Sequence, residues 1–145
     1  MKIYHTFYAK NGFDLDKINF DRGIFAIEAW WTGKKGYEKY SAFNPNEFGD
    51  TVVELDIDEE QKTYTCGDQI DVLEKFFKGN KTAEDVINKY ETGTMEQKHW
   101  QLLDEFIGKF LKKRGYKIIH YTSDQMYGNT WAILDKSVIK KIRFE

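Results

Sequence analysis

Alternating apolar and polar positions predict β-strands at both ends of the chain. Between 50 and 58, Val53, Leu55 and Ile57 alternate with acidic residues, which is the pattern of a strand with one buried face. Shorter segments rich in β-branched and aromatic residues are bounded by turn residues. The predicted strands are 2–8, 23–27, 50–58, 63–66, 116–121, 131–134 and 138–144.

The middle of the chain has the helical period instead, because apolar residues recur there at three- and four-residue spacing. The helices that this spacing predicts are 68–78, 82–90 and 94–114, with Gly115 ending the third. The motif Thr94-x-x-Gln97 has the form of a capping box and predicts the start of the third helix. A further helix is predicted over 28–40. The order of strands, helices and strands indicates an α+β fold.

The length of 145 residues fits one globular domain, 1–145. Hydrophobic residues make up 41% of the chain and aromatic residues 17%, which favours a packed core over disorder. A single cysteine, Cys66, excludes a disulfide framework and suits a reducing cytoplasm. No apolar run reaches the roughly 18 residues of a membrane span. We therefore expect a cytoplasmic protein with no membrane partner.

Charge is unevenly distributed along the chain. Residues 1–108 carry 13 basic and 21 acidic side chains, whereas residues 109–145 carry 9 basic and 3 acidic ones. Domains that bind duplex DNA are usually basic overall, so we expect no duplex binding here. The basic C-terminal third is either a solvated lysine surface or a region that attracts a phosphate-bearing ligand or an acidic partner.

Standard catalytic and metal-binding motifs are absent from the sequence. It has no G-x-S-x-G, no Walker phosphate loop and no H-E-x-x-H. His5, His99 and His120 lack the i,i+3 or i,i+4 spacing of paired ligands, so we predict no metal site. Cys66 has no neighbouring cation to lower the pKa of its thiol, and we interpret it as a core residue.

Two polar segments stand out beside the apolar strands. His5-Thr6 ends the first predicted strand, and 122–130 is a polar loop between two predicted strands. Loops on a rigid sheet often hold binding and catalytic groups. Each segment also has a structural explanation, since His5 can be a hydrogen-bonded core residue and Asp124 can cap a turn.

The order of these pieces resembles the ADP-ribosyltransferase-like fold, in the branch whose signature is a histidine, a tyrosine and an acidic residue. The matching segments are Ile3-Tyr4-His5-Thr6, Gly23-Ile24-Phe25, Tyr37 with Tyr40 as a second candidate, Gly115-Tyr116-Lys117-Ile118-Ile119, the loop around Asp124, and 131–139. In size, layout and opening motif the chain is most similar to small phage-encoded anti-CRISPR ADP-ribosyltransferases.

This resemblance implies two small packed β-sheets around an NAD cleft, with a helical insertion before the closing strands. NAD would be the substrate. Counting back from Asp135 places the family's acid at or near Thr130, which is not ionisable, and Asp124 is the nearest carboxylate in the loop. Asp124 would therefore be the catalytic residue, with its negative charge facing the ribose carbon where positive charge develops.

The resemblance also implies which residues bind NAD. They are His5, Thr6, Phe25, Tyr37, Tyr40, Gln125, Asn129 and Thr130. His5 would donate a hydrogen bond to a ribose hydroxyl of the adenosine half, and either tyrosine would stack on the nicotinamide ring. The last three residues of the set would orient the acceptor.

The implied function is transfer of ADP-ribose from NAD to a macromolecular acceptor, with a host protein of the defence machinery favoured. A non-catalytic inhibitor or binding protein on the same fold stays open, and the lack of an acid at Thr130 favours it. An NAD glycohydrolase is a second alternative. An RNA 2′-phosphotransferase is a third, but it would need several arginines converging on the cleft, and the chain has only Arg22, Arg114 and Arg143.

Overall fold

The computed structural model describes residues 1–28, 51–124 and 128–144 of the protein. These residues form seven strands and three α-helices, which confirms the α+β class. In chain order they are β1 Lys2–Phe7, β2 Ile24–Ile27, β3 Thr51–Ile57, β4 Thr63–Cys66, α1 Gln69–Phe76, α2 Lys81–Glu91, α3 Gln97–Lys113, β5 Ile118–Asp124, β6 Gly128–Ile133 and β7 Ile139–Phe144. The helix predicted over 28–40 lies, from residue 29 onward, outside the described residues.

The described strands form one sheet in the order β4-β5-β6-β2-β1-β3-β7. Its neighbouring strands are antiparallel except for β4 and β5, which are parallel. β1 and β2 share one bridged pair, Tyr4 with Ile27, whereas β1 and β3 pair along the whole of β1. The expectation of two separate packed sheets is therefore wrong for the described strands, because this one pair joins a four-stranded half to a three-stranded half.

Two hydrophobic cores lie on opposite faces of the sheet. On the first face, which we call the helical face, Tyr64, Ile119 and Tyr121 pack with residues of the three helices. On the second, which we call the opposite face, Ile3 and Leu55 from one half of the sheet pack with residues of the other half. Because successive strand residues point to alternate faces, each strand side chain faces one core or the other.

The long helix α3 holds the segment that leads into β2. Gly108 is buried in the middle of α3, and a Cβ atom there would overlap the carbonyl oxygen of Asp21. One turn further on, the Lys112 ammonium pairs with the Asp21 carboxylate at 3.0 Å. The absence of a side chain at Gly108 therefore lets the helix approach the backbone closely and position residues 19–24.

Strands β5 and β6 extend into the segment 122–130 that the sequence predicted as a polar loop. Thr122 donates its hydroxyl hydrogen to the Cys66 carbonyl at 3.1 Å, and the Ser123 N–H donates to the Gly67 carbonyl at 2.9 Å. These bonds to the neighbouring chain segment let polar residues continue the strand. The prediction of a nine-residue loop is therefore wrong: Asp124 ends β5, and 128–130 begins β6.

Candidate functional site around His5

His5 lies on β1 with its ring on the opposite face. Its Nδ1 is 2.7 Å from the Phe25 carbonyl oxygen, and because a carbonyl can only accept, Nδ1 carries the proton. Burial lowers the pKa of His5, and the Arg22 charge lowers it further, against the opposing effect of the Phe25 hydrogen bond. The neutral ring thus presents the lone pair of Nε2, not the N–H donor that the resemblance implies.

A cavity of about 200 Å³ adjoins this ring. Its lining residues are His5, Ile18, Asn19, Arg22, Gly23 and Ile24. Gly23 has a φ of +89°, and a Cβ atom there would lie 2.9 Å from the Ile133 carbonyl oxygen, so the close packing requires glycine. The volume is below the roughly 300–1,000 Å³ of a typical small-molecule site. The cavity formed by the described residues is therefore smaller than a typical small-molecule site.

Side chains from β2, β6 and β5 lie in a row beside His5 of β1, on the opposite face of the sheet. The row consists of His5, Ala26, Trp131 and His120. Tyr4 pairs with Ile27, so His5 and Ala26 share the opposite face, and Ala26 pairs in turn with Trp131 on β6. Trp131 pairs with His120 on β5, and their rings stack at 3.8 Å between centroids with an interplanar angle of 3°. The small side chain of Ala26 thus separates His5 from a stacked aromatic pair.

Two polar side chains complete this row. The Asn129 Oδ1 lies 2.9 Å from the His120 Nε2, and the Trp131 indole N–H donates to the Glu28 Oε1 at 3.1 Å. The structure therefore brings Asn129 to the same face as His5. Sequence reasoning did not place Glu28, Trp131 and His120 near His5, because only the pairing of β2, β5 and β6 shows that they are neighbours.

Three predicted NAD-binding residues lie on the helical face instead. The Phe25 ring stacks on Tyr121 at 6.2 Å with an interplanar angle of 4°, within the core under the helices. Thr6 points to the same face as Phe25, since each lies two residues from its member of the bridged pair Tyr4–Ile27. Thr130 is only 3% exposed, and its hydroxyl has no hydrogen-bond partner among the described residues. The structure does not bring these three side chains to His5.

Of the remaining predicted residues, the structure describes the backbone position of Asp124. Asp124 is the last residue of β5, and it pairs with Gly128 after a register shift that follows Tyr121. That places the Asp124 backbone at the end of the strand pair that carries His120 and Trp131. Tyr37, Tyr40 and Gln125 lie outside the described residues.

The other reactive side chains lie apart from this row. Burial, together with the nearby Asp71 and Asp68 carboxylates, raises the pKa of the Cys66 thiol to about 12, so the thiol stays protonated. Of the three arginines only Arg22 lines the His5 cavity, and the guanidinium of Arg114 lies 4.4 Å above the Phe110 ring at the end of α3. Within the described ranges no group of three or more His, Cys, Asp or Glu side chains is arranged to hold a metal ion.

No protein-family model matches the chain, and no curated protein matches it. A solved structure titled "Crystal structure of an anti-CRISPR protein" is similar over 100% of this chain and 95% of that chain, with 15% sequence identity and a TM-score of 0.47. A likeness at this level assigns neither a family nor a function. In the part of the chain that the structure describes, no helix combines the length and apolarity needed to cross a bilayer.

Proposed function

We propose that the protein is an NAD-dependent ADP-ribosyltransferase whose site lies on the opposite face of the sheet around His5. One observation carries the proposal: neighbouring strands from the two ends of the chain put His5, Trp131 and His120 in one row. The order of the sequence motifs supports it independently. The acceptor class, a protein of a host defence system, follows from the family resemblance alone.

Recognition of NAD would use three features of the row and of the adjoining cavity. The Nε2 lone pair of His5 would accept a hydrogen bond from a ribose hydroxyl. The Arg22 guanidinium, which lines the same cavity, has the geometry and charge to hold a phosphate of the dinucleotide. The stacked pair of Trp131 and His120 would offer an aromatic surface to a planar ring of NAD, worth about 0.5–1.5 kcal/mol beyond the buried area.

The reaction breaks the bond between the cationic nicotinamide nitrogen and the ribose carbon. The electron pair leaves with nicotinamide, which departs neutral and therefore needs no general acid. The acceptor then forms a bond to that carbon and loses a proton. The transition state carries positive charge on the ribose, which a nearby carboxylate stabilises. Asp124 is the proposed carboxylate. Glu28 is the second candidate, because the bond from the Trp131 indole fixes its orientation.

Labelled NAD tests this proposal. We expect the wild-type protein, incubated with bacterial lysate and NAD labelled in the adenylate phosphate, to transfer the label to a protein band. Asp124→Asn should lower the rate about 10²–10³-fold, since it removes one preorganised charge. Asp85→Asn, on the exposed surface of α2, is the matched control and should keep the wild-type rate.

Three other outcomes would each contradict one part of the proposal. Release of nicotinamide with no labelled band would assign NAD hydrolysis instead of transfer. Loss of activity in Glu28→Gln with full activity in Asp124→Asn would move the carboxylate role to Glu28. With neither nicotinamide release nor a labelled band, the enzymatic proposal would be wrong.

A non-catalytic binding protein is the second candidate, and a specific observation favours it. Leu102 is 66% exposed and Phe106 is 47% exposed on α3, beside an apolar cavity. Exposed apolar side chains in one patch often mark an interaction site. The RNA 2′-phosphotransferase alternative is disfavoured, because Arg114 and Arg143 do not line the cavity that holds Arg22.

A further inference from the structure

A second and larger cavity, of about 540 Å³, lies among the three helices and shares no lining residue with the His5 cavity. Its apolar surface includes Leu73, Phe77, Ala83, Leu102, Leu103 and Phe106. Its volume falls within the roughly 300–1,000 Å³ of typical small-molecule sites, which are likewise mostly apolar with a few polar groups. This cavity therefore has the size and surface of a ligand site.

Two of the side chains that line the cavity, those of Lys89 and His99, can donate hydrogen bonds. Lys89 is in the last turn of α2 and His99 is in the first turn of α3, and both line the cavity. The short connector between these helices folds back, since the Thr94 N–H donates to the Lys89 carbonyl at 2.8 Å. The two side chains therefore approach the cavity from the same end of the helix pair.

The hydrogen-bond state of these two side chains favours an anion. The His99 Nδ1 accepts from the Glu96 N–H at 3.0 Å, so the ring proton is on Nε2. None of the ion pairs formed by the described residues includes the Lys89 ammonium. No lining residue carries a carboxylate, and the nearby Glu96 carboxylate pairs with Lys98 at 3.6 Å.

We infer that this cavity binds an amphiphile with an apolar chain and a carboxylate head, of the fatty-acid type. Lys89 and His99 would hold the head through charge-assisted hydrogen bonds. The chain would lie along α2 toward Thr82, which is about 10 Å from Lys89 at 1.5 Å per residue. No step of this inference depends on the NAD proposal.

Calorimetric titration with dodecanoate, below its micelle concentration, tests the inference. We expect saturable binding to one site, at least about tenfold tighter than binding of the chain-matched cation dodecyltrimethylammonium. Lys89→Met keeps the apolar stem and removes the charge, so it should weaken dodecanoate binding at least about tenfold. Lys81→Met, at the start of the same helix and outside the cavity lining, is the control and should bind as the wild type does.

The inference would be overturned by a lack of dodecanoate binding, by equal binding of the two amphiphiles, or by full binding in Lys89→Met. Leu102→Glu places a carboxylate at an exposed position of the lining and should abolish dodecanoate binding without unfolding the protein. A wild-type dimer in sedimentation, converted to a monomer by Leu102→Glu, would instead show that a second copy of the chain covers the cavity, which also contradicts the inference.

Discussion

The His5 imidazole is neutral because its surroundings oppose a charge. It lies largely out of water, its one donor is used by the Phe25 carbonyl, and Arg22 lies on the same cavity. Because the ring N–H already donates to Phe25, the ring can only accept a hydrogen bond from a ligand, at Nε2. These features also couple its protonation to the stability of the fold, because burial lowers the pKa of His5 from the ordinary value of 6.5.

A pH dependence follows at this residue. When the pH falls below the ordinary value of 6.5, the unfolded chain takes up a proton at His5 before the folded chain does. The free energy of unfolding should therefore decrease on acidification toward about pH 5. Urea unfolding of the wild type and of His5→Gln measures this. The variant should lose less stability over that range, and an equal loss in both proteins would contradict the assigned burial of the ring.

Among the secondary-structure elements, those with a sustained hydrophobic period were predicted correctly, whereas a helix start predicted from a local capping motif was not. The alternation around Val53 and Leu55 and the helical period of α3 both correspond to observed elements. The predicted helix start at Thr94 was wrong. The Thr94 hydroxyl donates to the Lys89 carbonyl at 3.2 Å, and Glu96 is the residue that caps α3. A threonine at a helix–helix connection can bond to either helix, and the choice depends on how the connector folds.

The close packing of α3 at Gly108 predicts that replacing this glycine by alanine lowers the stability of the protein, whereas the same change stabilises an isolated helix. Alanine favours a helix interior over glycine by about 1 kcal/mol, so Gly108→Ala would stabilise an isolated helix. Here the added methyl group would overlap the Asp21 carbonyl, and we expect a net destabilisation of about 2 kcal/mol or more. Thermal or urea unfolding measures the change.

Lys109→Ala, at the exposed neighbouring position, is the control for this variant. It removes a surface pair with Glu105 and should change the stability by less than about 0.5 kcal/mol. A Gly108→Ala protein that is as stable as the wild type would show that α3 does not pack closely on the segment before β2.

At the scale of the whole molecule, the arrangement of the sheet decides which residues share a site. The predicted strands were correct in number for the described residues, but their order and register were beyond sequence reasoning, because pairing between distant segments sets both. His5 and Phe25 were therefore assigned to one pocket, although their rings lie on opposite faces. For the same reason Glu28 and His120 could not be recognised as neighbours of Trp131.

The proposed NAD site lies where β1, β2 and β6 are neighbours on the opposite face. Nuclear magnetic resonance of isotope-labelled protein titrated with NAD measures whether NAD binds there. We predict saturable shifts that are largest at the amides of His5, Ala26 and Trp131 and small along α2. Shifts confined to α2 and α3, or no shifts at millimolar NAD, would show that NAD does not bind at this place.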